Sequence, residues 1–79
     1  MAYDVYAAAR ALRDELDESG NSDWSTEIQD AIEGGSTGTE ILMRLRWVVT
    51  RLAPALEADF PRAVAQAREI ETEINHLLR

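Results

Sequence analysis

Seventy-nine residues suffice for one domain and not two, so a single folded unit over residues 1–79 is expected. The chain has no cysteine, which excludes disulfide staples and thiolate metal sites. Fifteen acids against eight arginines and no lysine give a net charge of −7, which excludes a non-specific nucleic-acid binder, because phosphates demand basic side chains.

The first helix is expected from about Asp4 to Ser19. Val5, Ala8, Ala9, Leu12 and Leu16 recur at three- and four-residue steps and line one face. Tyr3 and Tyr6 flank this stripe. Gly20 and Asn21 end the helix, since both tolerate the left-handed cap conformation. The second helix is expected from about Asp23 to Glu33, with Ser22 or Asp23 as its cap. Its apolar face is Trp24, Ile28, Ala31 and Ile32, and Gly34-Gly35 stops it.

The third helix has the clearest start. Thr37-Gly38-Thr39-Glu40 fits a capping box, in which Thr37 caps and Glu40 reaches back. The helix should run to about Ala53. Ile41, Leu42, Leu45, Val48, Val49 and Leu52 form one broad stripe. Met43 and Trp47, four apart, form a second, so this helix is central or lends one side to a partner. Pro54 has no backbone donor and is expected to kink or stop the helix near Leu52. Asp59 is the expected cap of the fourth helix, with Pro61 in its first turn. Phe60, Val64, Ala67, Ile70, Ile74 and Leu77 then carry a core face. The short connections make successive helices antiparallel neighbours, which predicts an all-α up-down bundle of three to four helices.

No run approaches the ~20 apolar residues that span a bilayer. Residues 1–12 lack the basic flank and apolar stretch of a signal peptide. A cytoplasmic protein without membrane contact is therefore expected. The exclusive use of arginine, with twelve alanines, fits a GC-rich bacterial coding bias.

The charge is unevenly spread. Residues 1–40 carry −8 and residues 41–79 carry +1. The helix macrodipole disfavours acids near a helix C-terminus, yet Asp14, Glu15, Asp17 and Glu18 crowd the end of the first helix. Glu27, Asp30 and Glu33 add three acids on the second helix, with no base among them. Leu12 and Leu16 face the core, so the four acids of the first helix should fan across its solvent side. Large single-sign fields repel themselves, so such a cluster serves solubility or steers the protein toward a positively charged cleft.

The stretch WSTEIQDAIEGGSTGTEILMRLRW, Trp24 to Trp47, resembles small bacterial all-helical proteins whose build is similar to that of immunity proteins and antitoxins. The resemblance covers about a third of the chain and rests on structural marks: a Trp-led helix, the Gly-Gly-Ser-Thr-Gly turn and Glu-Ile-Leu-Met. It implies a helical fold and a toxin-like partner, and carries over no inhibitory residue.

Two patterns suggest chemistry. Glu15-x-x-Glu18 and Glu27-x-x-Asp30 are similar to the paired acids of all-α nucleotide pyrophosphohydrolases of the MazG type, which share Mg²⁺. Here only eight residues separate the pairs, shorter than that family shows, and no lysine is available for substrate phosphates. Glu73-Ile74-Asn75-His76 is half of a di-iron bundle motif, but the chain has one histidine, and His76 lies nearly opposite the expected core face. One histidine and no cysteine leave no ordinary nucleophilic triad. Gly34 to Gly38 lacks the ending and the preceding strand of a phosphate loop.

The sequence thus points to an acidic protein-binding module rather than an enzyme, with no metal or other cofactor. The expected function is that of an inhibitor or immunity-type protein blocking a basic partner, such as a nucleic-acid-acting toxin. Asp14, Glu15, Asp17, Glu18, Glu27, Asp30 and Glu33 would meet the basic cleft, with Met43 and Trp47 as anchor. The alternatives are a homodimeric structural or adaptor bundle paired through the third helix, and a Mg²⁺-dependent pyrophosphohydrolase.

Overall fold

The computed structural model describes residues 3–79 as four helices: α1 (Val5–Glu18), α2 (Ser22–Gly34), α3 (Gly38–Leu56) and α4 (Pro61–Leu77). Helices α1 and α2, α2 and α3, α3 and α4, and α4 and α1 pack together, closing a ring. Cross-links fix the register. Glu27 meets Arg51 across α2 and α3, while Thr50 meets Glu71 and Arg46 meets Asn75 across α3 and α4. Glu15 near the end of α1 meets Arg62 at the start of α4. The two pairings across α3 and α4 run in opposite directions, and Glu15–Arg62 joins the end of α1 to the start of α4, as an up-down bundle requires.

The core is aliphatic. Leu12, Leu16, Ile28, Leu45, Leu52, Ile70 and Ile74 are fully buried, and Tyr6, Trp24, Ile32, Ile41, Phe60 and Leu78 pack around them half-buried. Burial of each large aliphatic side chain stabilises by roughly 1.5–3 kcal/mol.

Helix ends follow the local chemistry, in places differently from expectation. Asp4 caps α1 by accepting from the N–H groups of Tyr6 and Ala7, at 3.0 and 3.1 Å. Gly20 ends α1 with φ +84°, a conformation that costs glycine little. There the Asn21 N–H reaches the Leu16 carbonyl at 2.7 Å and the Gly20 N–H that of Asp17 at 3.3 Å, a Schellman closure. Neither Ser22 nor Asp23 caps α2. The flanking residue is Asn21, whose amide donates to the Ser19 hydroxyl at 3.0 Å and so turns back toward α1. Asp23 sits in the first turn, where its charge suits the dipole.

Thr37 caps α3 as expected, accepting from the Glu40 N–H at 3.1 Å. Only half of the capping box forms, because Glu40 instead accepts from the Ser36 hydroxyl at 3.0 Å and from Arg44 at 3.3 Å. The hydrogen bonds from Ser36, then Arg44, hold the Glu40 carboxyl below its ordinary range.

Pro54 neither stops nor ends α3, which continues to Leu56. The proline is exposed, so its ring faces solvent, while Leu52, Ala53 and Leu56 around it are buried. Burial of this last turn outweighs one missing hydrogen bond. Asp59 does not cap α4. Helical geometry is disfavoured for the residue before a proline, so at this helix start Phe60 takes the flanking position and Pro61 opens the helix. Leu77 also departs from expectation: it is exposed, and Leu78 packs on the core instead.

The turn between α2 and α3 is tight. A Cβ on Gly35 would lie 2.5 Å from Ile41 Cγ1 and 3.0 Å from the Ile41 backbone nitrogen. Gly35→Ala should therefore cost ~1–3 kcal/mol, as overpacking does. Thermal unfolding by circular dichroism should show a midpoint lowered by ~4–8 °C per kcal/mol. An unchanged midpoint would mean that the turn is loose.

Candidate functional site

The acids of α1 divide. Asp14, Asp17 and Glu18 are exposed on the outward face, with Ala7 and Ala11 exposed beside them. Asp14 accepts from its neighbour Arg13 at 3.0 Å, and among the described residues no ion pair reaches Asp17 or Glu18. Glu15 does not join the fan. It is half-buried and turned toward α4, with one oxygen 3.7 Å from Arg62 and the other buried without a hydrogen-bond partner. The spacing explains this split: one residue before Leu16, Glu15 flanks the core stripe on the α4 side, while Arg13 flanks it on the α2 side and contacts Gln29. The groove between α1 and α4 adds Tyr3 beside Glu69 and Glu73. Partial burial, then these two charges, pushes the Tyr3 phenol above its ordinary value.

The acids of α2 lie elsewhere. Glu27 and Asp30 line a shallow cleft of about 170 Å³ between α2 and α3, together with Ala31, Arg44, Trp47 and Val48. Glu27 is already engaged, accepting from Arg51 at 2.8 Å. Arg44 pairs with Glu40 of its own helix rather than with Asp30. Glu33 is exposed and accepts from Gln29 at 2.6 Å.

Met43 and Trp47 are exposed, at 52% and 62%, on the outer ridge of α3. The Arg51 guanidinium lies 4.2 Å from the Trp47 ring centroid and 5.3 Å from that of Trp24. With Glu27 it forms a four-residue cluster that pins the seam between α2 and α3. Arg46 flanks the other side of the ridge and donates to Asn75 at 3.2 Å. Of the three arginines on α3, only Arg51 pairs with an acid of a neighbouring helix. The sequence could have shown the cluster, since Trp24 and Glu27 share one face of α2, and Trp47 and Arg51 one face of α3. Only the register across the seam brings them together.

These residues do not form one surface. α1 and α3 face each other across the ring, so the acidic fan and the Met43–Trp47 ridge point to opposite sides of a bundle about 23 Å thick. A single compact cleft accommodates one or the other.

The two acid pairs suggestive of Mg²⁺ binding do not converge. Glu15 turns to α4, Glu18 to solvent and Glu27 to Arg51. Among the described residues, no three acidic or histidine side chains lie close enough to share a metal ion. His76 is exposed in the last turn of α4, where a positive charge would suit the helix dipole. No described helix is long and apolar enough to cross a membrane. Compared with family models, curated proteins and solved structures, the chain finds no match.

Proposed function

We propose that this protein is an acidic protein-binding module, an inhibitor of the immunity or antitoxin kind. It would cover the cationic cleft of a basic partner, such as a nucleic-acid-acting toxin, in the cytoplasm of a bacterium. The supporting observation is the outer face of α1, where Asp14, Asp17 and Glu18 stand exposed with one arginine partner among them, at the helix end that disfavours acids. Carboxylates so placed take the positions that phosphates would occupy in a basic cleft, and they speed encounter with it. The α3 ridge is not part of this contact, because it faces away.

The test is capture from source-cell lysate by tagged wild-type protein and by the triple variant Asp14→Asn/Asp17→Asn/Glu18→Gln. One stoichiometric basic protein, released as salt rises and absent from the variant, is the expected result. Equal capture by both proteins would remove the reading. A second reading, a homodimeric structural or adaptor bundle paired through α3, is favoured by the exposure of Met43 and Trp47.

A further inference from the structure

The outer ridge of α3 brings bulky apolar and basic side chains together on the surface. Met43, Trp47 and the exposed Pro54 run along it, flanked by Arg44 and Arg51 on one side and Arg46 on the other. α3 carries three arginines and one glutamate, +2, so the remainder of the chain carries −9. Arg44 is held by Glu40 and Arg51 by Glu27, so a two-fold pairing of α3 with α3 brings Arg46 no charge complementarity.

Its complement is present on the same molecule. The outer face of α1 presents Ala7 and Ala11, then Asp14, which holds Arg13, and Glu18, at the helical steps that bring residues to one side, with the exposed Arg10 at its edge. Met43 and Trp47 on α3 have matching steps. The two alanines offer a flat apolar floor for a methionine and an indole, and the carboxylates lie where arginines would arrive. Because α1 and α3 stand diagonally across the ring, a single chain cannot bring these faces together, but two chains can.

We propose that the α3 ridge of one chain docks on the α1 acidic face of a second copy, head to tail. Such a contact joins two different surfaces, and each added chain leaves one of each kind free. Since the faces point in opposite directions, the contact propagates as an open row rather than closing as a dimer. One helix face ~28 Å long and ~10 Å wide covers roughly 300 Å², below the ~800 Å² per partner of a standard interface, so the association is weak and transient. Its attraction is between exposed charges and falls with salt. A nucleic acid is the poorer occupant, since the three arginines are surrounded by a chain of strong negative charge.

Complementation by two variants tests this contact. The first is the α1 variant Asp14→Asn/Asp17→Asn/Glu18→Gln, and the second is the α3 variant Met43→Ala/Trp47→Ala. All four combinations are followed by sedimentation velocity at millimolar protein in low and high salt, with circular dichroism confirming that each variant folds. Wild type should grow in mean mass with concentration, without a plateau at two chains, and should weaken at least about tenfold in high salt. Each variant alone should stay monomeric. Their equimolar mixture should stop at two chains, because it holds one intact copy of each face per contact.

Three outcomes overturn the proposal. They are a wild type that stays monomeric throughout, an α1 variant that dimerises unaided, which marks a symmetric α3 pair, and a mixture that fails to associate. The readout is self-association without any partner, so its failure leaves the inhibitor reading standing. Conversely, a lysate partner that ignores the α1 variant's substitutions removes that reading and not this one.

Discussion

Leu45→Ala is expected to cost ~2–5 kcal/mol, whereas Trp47→Ala, two residues further along α3, is expected to cost under ~1 kcal/mol despite removing a larger side chain. Leu45 is 0% exposed, and truncating it leaves a cavity among the buried side chains of a close-packed core. Trp47 is 62% exposed, and its loss removes little more than the stacking of Arg51 at 4.2 Å. Arg51 keeps Glu27 and the Trp24 ring as partners. A domain of this length has a total stability of roughly 4–12 kcal/mol, so the leucine substitution consumes a large fraction of it. The thermal midpoint should fall by at least ~8 °C for Leu45→Ala and by less than that for Trp47→Ala. Urea titrations of the two variants check the order. A Trp47 variant as unstable as the Leu45 variant would mean that the tryptophan is packed, and would remove the α3 ridge as a docking surface.

The same pair shows what the sequence could and could not reveal. Periodicity placed Leu45 and Trp47 on nearly opposite sides of the third helix, correctly. It could not decide whether a further layer covers the second side. That depends on how many helices close around the core, and four helices in a ring leave each with one outward face. Helix number, order and core stripe were legible because they follow from three- and four-residue spacing, which any amphipathic helix must show. The ends were less so. Asp59 and Ser22 are good caps in isolation, but Pro61 dictates the geometry of Phe60, and Asn21 is pulled toward Ser19. At Pro54, burial of Leu56 overrode a local signal to stop. For the candidate site, three of the four acids on α1 lie outward as expected, and Glu15 departs because it borders the core stripe. The division of the acidic and aromatic residues between opposite faces could not be read from either helix alone, since it is a property of the ring.

Neutralising Asp14, Asp17 and Glu18 together should slow association with the basic partner by ~10–10³-fold at low salt, with a much smaller change in dissociation. The reasoning starts from the fold. These side chains are exposed, and acids at a helix C-terminus are unfavourable by ~0.3–1 kcal/mol each, so the variant should be as stable as wild type or slightly more so. A loss of binding therefore cannot be charged to unfolding, which a thermal melt verifies. Glu15→Gln serves as the contrast. Its carboxylate faces α4 and lies 3.7 Å from Arg62, so it contributes little to the outward field, and its association rate should stay near that of wild type. Raising the salt shortens the screening length to a few ångströms, and the gap between wild type and triple variant should close. Stopped-flow measurements across a salt series, with the captured partner, separate the two rate constants. If the triple variant associates at the wild-type rate in low salt, the acidic face of α1 does not steer the encounter. The cluster is then a solubilising surface, and the partner's contact lies elsewhere on the bundle.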